Sequence, residues 1–473
     1  DLIRPIAYDM LHREARKYLP YSRTNGNVGY DLAAITAQET FYRNKFSCIT
    51  PYAYTHDEYE SSPLNRVLKS RKPGAEFQTD AHSVRNTYIG NGSSAVGRLD
   101  IDPATGSLHV NGYYEANMLS GTQTTDEDGA VVVTYTDKEG HTVYEERQLR
   151  GANNAVDHLI TRYVYDDCGR LAWVVTPEGT DRLTQGQSYA DTCAVARNYC
   201  YVYRYDTHGR MVEKRMPGRE AEYMVYNQGD QLVMSQDGNL RGKKQWMIHK
   251  YDAFGRITEQ SLVTDAATTS TSERCEALQG LFDAGSTILL YDSAAATLVY
   301  RHVYDNYPAS LDPRLAFVNV PSLSTLKDNR TVGLPTCEEL ALLSESGIDG
   351  YRKRVFYYDS KGRLIQTVEC DNLSSKVLRI SSRYDFAGNL LAQRESYTHD
   401  TTTDHLDRTF TYDARSRMTK ETAQFNSGEQ AVVNYTYDDL GQLTGKTYGA
   451  GTYAIHETLD YNIQGWLTEK SSE

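Results

Sequence analysis

One seven-residue word governs this chain. Tyr-Asp, two variable residues, Gly, Arg and an apolar residue follow one another from Tyr165, Tyr205, Tyr251 and Tyr358. Looser copies begin at Tyr226, Tyr384, Tyr412, Tyr437 and Tyr461, and most neighbours lie 21 to 28 residues apart. Near the N-terminus, Tyr8 opens a further variant with His12 where glycine would stand. A recurring period of this kind implies a repeat architecture. Each unit is one supersecondary element that buries its apolar face only by stacking on its neighbours.

The word has a physical reading. Before it, aromatic residues alternate, as at Tyr201, Tyr203 and Tyr205, at Phe356 and Tyr358, at Phe410 and Tyr412, and at Tyr435 and Tyr437. Period two places them on one face of a strand. Aspartate then turns the chain by accepting a backbone N–H two residues on, and glycine supplies the positive φ of a tight turn. Afterwards Leu171, Trp173 and Val175 alternate again, as do Leu364, Gln366 and Val368. Each unit is therefore expected to be a β-hairpin. The expected structural positions are Tyr165, Asp166, Gly169 and Arg170; Tyr205, Asp206, Gly209 and Arg210; Tyr251, Asp252, Gly255 and Arg256; and Tyr358, Asp359, Gly362 and Arg363. The looser copies add Tyr384, Asp385, Gly388, Tyr412, Asp413, Tyr437, Asp438 and Gly441. The arginines are expected to pair with aspartate or to cover tyrosine rings. Residues that recur at many equivalent places point to structure and not to catalysis.

Composition agrees. Tyrosine occurs 38 times against 10 Phe and 3 Trp, and its ring with a wet hydroxyl suits half-buried strands. A net charge of −13 argues against a nucleic-acid partner and against adhesion to an anionic membrane. Seven cysteines in 473 residues are too sparse for a disulfide scaffold. No apolar run approaches the length of a membrane span. The chain opens Asp1-Leu2-Ile3-Arg4 and closes Ser471-Ser472-Glu473, which reads as an internal segment of a longer protein.

The word resembles the YD repeat of the RHS (rearrangement hot spot) family, shared with teneurins and the C component of insecticidal toxin complexes. The resemblance covers most of residues 160–473. Tyr18-Leu19-Pro20-Tyr21, Pro51-Tyr52-Ala53-Tyr54, Ser62-Pro63-Leu64-Asn65-Arg66-Val67, Lys72-Pro73-Gly74 and Tyr88-Ile89-Gly90-Asn91 resemble an uncharacterised segment that precedes the repeats in bacterial members. The resemblance implies an all-β fold, a spiralling ribbon of antiparallel hairpins forming a shell, here an incomplete piece of it. It also implies secretion or a place at the cell surface. The partners implied are the protein's own C-terminal core and toxic domain, with surface glycans or secretion machinery as further candidates. Asp102-Pro103-Ala104-Thr105-Gly106 superficially resembles the Asp-Pro-Gly block of the family's self-cleaving core. Its surroundings do not match, so it is expected to be a type I turn.

Along the chain, the expected divisions are an N-terminal β-rich segment at 1–160, repeats at 161–263, a decorated region at 264–354 and repeats again at 355–473. Residues 1–30 read as a degenerate hairpin with a polar turn at Thr24-Asn25-Gly26-Asn27. Residues 31–46 read as a helix with Asp31 as cap, and residues 272–282 as a second short helix. Cys193 and Cys200 fit either a disulfide or free thiols. Asp126-Glu127-Asp128-Gly129 lacks the spacing of a calcium loop and reads as a hairpin turn. The sequence contains no phosphate loop, nucleophile elbow or zinc signature, so no catalytic, cofactor or metal residue is assigned. The expected function is a non-catalytic shell segment that encloses or delivers a toxic domain outside this chain. The alternative is a surface adhesion or carbohydrate-binding module.

Overall fold

The alternating runs form strands, and the words form the turns between them. A computed structural model describes the chain except residues 1, 24–30, 151–155, 267–270, 287–290, 292–294, 324–325, 346 and 450. The polar turn expected at Thr24-Asn25-Gly26-Asn27 lies outside the described residues. Val156–Tyr165 pairs antiparallel with Leu171–Val175, Cys200–Tyr205 with Met211–Arg215, Gln245–Tyr251 with Ile257–Thr264 and Gly347–Tyr358 with Leu364–Asp371. The same pairing holds at Tyr384, Tyr412 and Tyr437. The fold is all-β, a ribbon of antiparallel hairpins.

Five α-helices interrupt the described strands: α1 (Ala34–Phe46), α2 (Pro177–Asp181), α3 (Ala194–Tyr199), α4 (Gly238–Gly242) and α5 (Thr271–Asp283). Helices α1 and α5 fall where the sequence places them. Asp31 is not the cap of α1. Ala33 holds that position without a side-chain bond, while the Asp31 carboxylate accepts the Ala33 N–H at 2.9 Å and pairs with Arg23. The Asp102 turn is also wider than type I. The Gly106 N–H donates to the Asp102 carbonyl four residues back, and Gly106 has φ +68°. All seven cysteines are free. The Cys193 sulfur instead accepts the Ala196 N–H and caps α3.

The chain divides into two compact units: Asp1–Tyr223 with Asp439–Gln442 and Tyr461–Thr468, and Met224–Asp438 with Leu443–Asp460 and Glu469–Glu473. In the first unit, Val164, Trp173 and Val202 align across three neighbouring strands. A separate three-stranded sheet (Gly97–Ile101, Leu108–Tyr113 and Ser188–Tyr189) contributes Leu99, Leu108 and Val110 to the same core. The Trp173 indole N–H donates to the Gly106 carbonyl at 3.1 Å, which satisfies its one polar atom.

In the second unit, Cys337, Val355 and Val368 form the corresponding row. Leu315, fully buried, packs on it from an irregular strap. Backbone carbonyls hold that strap: the Tyr357 hydroxyl donates to Leu315 O, and Gln366 bonds both the N–H and the carbonyl of Val318. Replacing Leu315 by Ala should cost about 2–5 kcal/mol, because it empties a packed site. Replacing Leu326, 80% exposed, should cost less than about 0.5 kcal/mol in the same urea unfolding measurement.

Candidate functional site

The turn is built the same way in each word. At Asp166, the backbone N–H donates to Arg170 O, and the Gly169 N–H donates to Asp166 O. The carboxylate accepts the N–H groups of Cys168 and Arg170 through Oδ1 and the Arg170 Nε–H at 2.7 Å through Oδ2. The sets at Asp206, Asp252, Asp359 and Asp413 match it. Gly169, Gly209, Gly255 and Gly362 have φ between +73° and +83°. At Tyr412 the equivalent residue is Ser416, with φ +60°, and in the N-terminal variant it is His12, with φ +59°.

Each tyrosine of the word then reaches backwards. A β-bulge at Tyr165, Tyr205, Tyr251, Tyr358, Tyr384, Tyr412 and Tyr437 breaks the register at the turn. The Tyr205 hydroxyl donates to Leu171 O at 2.9 Å, Tyr384 to Leu364 O at 3.1 Å, Tyr412 to Leu390 O at 2.9 Å and Tyr437 to Met418 O at 2.8 Å. In these four the acceptor is the residue just after the preceding word's arginine position, whereas Tyr358 donates to Pro335 O.

The arginine reaches forwards. Arg170 lies 4.8 Å from the centre of the Tyr205 ring and donates to Asp206 O at 3.2 Å. Arg417 treats Tyr437 and Asp438 O identically, at 4.8 Å and 3.2 Å. Arg363 covers Tyr384 and donates to Asp385 O. Arg256 covers Tyr304 and pairs with the Asp305 carboxylate. In the N-terminal segment, Arg13 covers Tyr59, and Arg66 covers Tyr88. There Glu60 stands in for aspartate across a loop two residues longer, accepting Arg66 Nε at 2.8 Å and Nη2 at 2.6 Å.

The sequence reading missed the words at Glu60 and Asp137. At Asp137 the Gly140 N–H donates to Asp137 O, the Asp137 N–H donates to His141 O, and the carboxylate accepts the His141 N–H. His141 stands in the arginine position. Its ring stacks on Tyr165, 4.5 Å between centres, with Nδ1 3.2 Å from Asp137 Oδ2. The usable signal was aspartate three residues before glycine, 29 residues ahead of Asp166 and so just beyond the repeat's usual spacing. Beside this turn opens a cleft of 330 Å³ lined by Asp100, Tyr114, Asp137, His141, Tyr163 and Tyr165, among others. Burial, then the charge on Asp137, raises the Tyr165 hydroxyl. An adjoining cleft of 540 Å³ shares Asp100, Tyr114, Asp137 and Glu139. Among the described residues, no three His, Cys, Asp or Glu side chains converge as a metal site.

A family profile described as Domain of unknown function (DUF6443) matches residues 1–89. No curated protein matches the chain. Among solved structures, the crystal structure of TcdB2-TccC3-TEV aligns with TM-score 0.42 and 10% identity over 89% of this chain and 20% of that one. The Photorhabdus luminescens Tc holotoxin pore aligns with TM-score 0.35 and 14% identity over 98% of this chain and 24% of that one. The chain thus spans a fifth to a quarter of the length of these two chains.

Two predictions follow from the turn. Gly209→Val forces a β-branched residue to φ +83° and should cost about 1–3 kcal/mol, whereas His208→Val, exposed in the same turn, should be near neutral in thermal melts. The second concerns acid. Arg256, then the Gly333 N–H, holds the Asp305 carboxyl at about 2. A carboxyl depressed below its unfolded value of about 4 contributes stability above that pH and loses it as pH falls towards 2. Arg256→Met should therefore be less stable than the parent at neutral pH, with the gap closing below about pH 3.

Proposed function

We propose that this chain is a non-catalytic wall segment of a secreted or surface RHS-type YD-repeat protein, and that it encloses a toxic domain carried elsewhere in the same polypeptide. One observation carries the reading. The same tyrosine, aspartate and arginine contacts tie hairpin to hairpin at Asp166–Asp206, Asp359–Asp385 and Asp413–Asp438. Interactions repeated from hairpin to hairpin build a continuous surface. The family profile over residues 1–89 covers the N-terminal segment, which carries variant words of its own at Asp9 and Glu60. The partners are the protein's own C-terminal core and its toxic domain.

The full product of the gene tests this by limited proteolysis. The toxic domain should resist cleavage while the ribbon is intact and become cleavable when Arg170, Arg363 and Arg417 are all changed to Ala. A downstream domain cleaved equally fast in both proteins would contradict enclosure and favour an adhesion module.

A further inference from the structure

The His141 ring takes the place over Tyr165 where other words set a guanidinium, and the cleft opens beside it. Arginine at the end of one turn lies over the next word's tyrosine at Tyr205, Tyr384 and Tyr437, and bonds the carbonyl of the aspartate beside it. The turn Asp137–His141 repeats the two backbone bonds of those turns and the carboxylate's bond to the N–H four residues on, and Tyr165-Asp166 is the word that follows it. An imidazole is shorter than an arginine side chain. It covers the Tyr165 ring but leaves 330 Å³ open along Asp166 and Tyr163. Five carboxylates line this space: Asp100 pairs with Arg98 and Asp166 with Arg170, whereas Asp137, Glu139 and Asp167 have no Lys or Arg partner among the described residues. Arg98 and Lys138 line only the adjoining 540 Å³ cleft.

We propose that this cleft is an open arginine socket, which binds the guanidinium side chain of an arginine-bearing peptide. The ligand chemistry is the one the fold uses itself: a planar cation stacked among tyrosine rings, with donors reaching a carboxylate and a backbone carbonyl. Lysine fits less well, because a compact ammonium neither stacks nor forks. The site is independent of the wall role, since the Asp137 turn, the Tyr165 word and the Gly97–Ile101 strand that line it all belong to one unit.

Isothermal titration of the 473-residue protein with acetyl-Gly-Arg-Gly-amide tests the socket, with the isosteric, uncharged citrulline peptide and the lysine peptide alongside. The arginine peptide should bind at least about tenfold tighter than the citrulline peptide, the ratio expected when a partly desolvated cation–π contact and its ion pairs are removed. His141→Arg should fill the socket from within, abolish binding and melt no lower than the parent. Asp167→Lys, at an exposed turn position, places a cation in the cleft and should abolish binding too, which keeps the test informative if His141→Arg fails to fold. No binding of the arginine peptide, equal binding of arginine and citrulline peptides, or full binding by a folded variant would each overturn the proposal.

Discussion

The arginine that closes one turn also anchors the next hairpin, and the rest of the structure depends on that double use. Within its own turn, Arg170 neutralises Asp166, whose carboxylate is already holding two backbone N–H groups. Its remaining donor and its flat face go to the following word. A lone hairpin is marginal in water, so a contact that spans two hairpins converts local turns into a cooperative ribbon. Tyrosine works in the opposite direction, its hydroxyl returning to the strand behind. Together the two side chains cross each seam twice.

The bulge makes this geometry reachable. One extra residue opposite each word's tyrosine, such as Ala172 between Leu171 and Trp173, shifts the register where the strand meets the turn. Beyond it the regular ladder resumes, and rows such as Val164–Trp173–Val202 present a continuous apolar face. That face is covered locally, by the small sheet bearing Leu108 in one unit and by the strap bearing Leu315 in the other. The polar seam and the apolar face are thus separate devices. One sets the order of hairpins, and the other sets how tightly each stretch is packed.

Much of this was legible in the residues. Tyr205, Asp206, Gly209 and Arg210 carry the turn in their side-chain chemistry alone, and Ala34–Phe46 and Thr271–Asp283 carry helical periodicity. The cleft was not legible, because His141 replaces the arginine that makes a word recognisable, and Glu60 hides another word behind a longer side chain and loop. Helices α2, α3 and α4, of five or six residues, are too short to show a period. The strap over Val355 has no pattern because backbone carbonyls hold it, and these are the same in every residue. Asp31 shows the limit of cap rules: its carboxylate bonds the Ala33 N–H, two residues too early to cap α1.

The claim that arginine couples consecutive hairpins is most directly tested by a double-mutant cycle on Arg363 and Tyr384, whose ring centre lies 5.4 Å from the guanidinium carbon. Arg363→Ala and Tyr384→Leu, singly and together, should give a coupling energy of about 0.5–1 kcal/mol in urea unfolding. The same cycle on Arg363 and Tyr437, which belong to words three steps apart, should give a value near zero. Equal coupling for the two pairs, or none for Arg363 with Tyr384, would contradict the account.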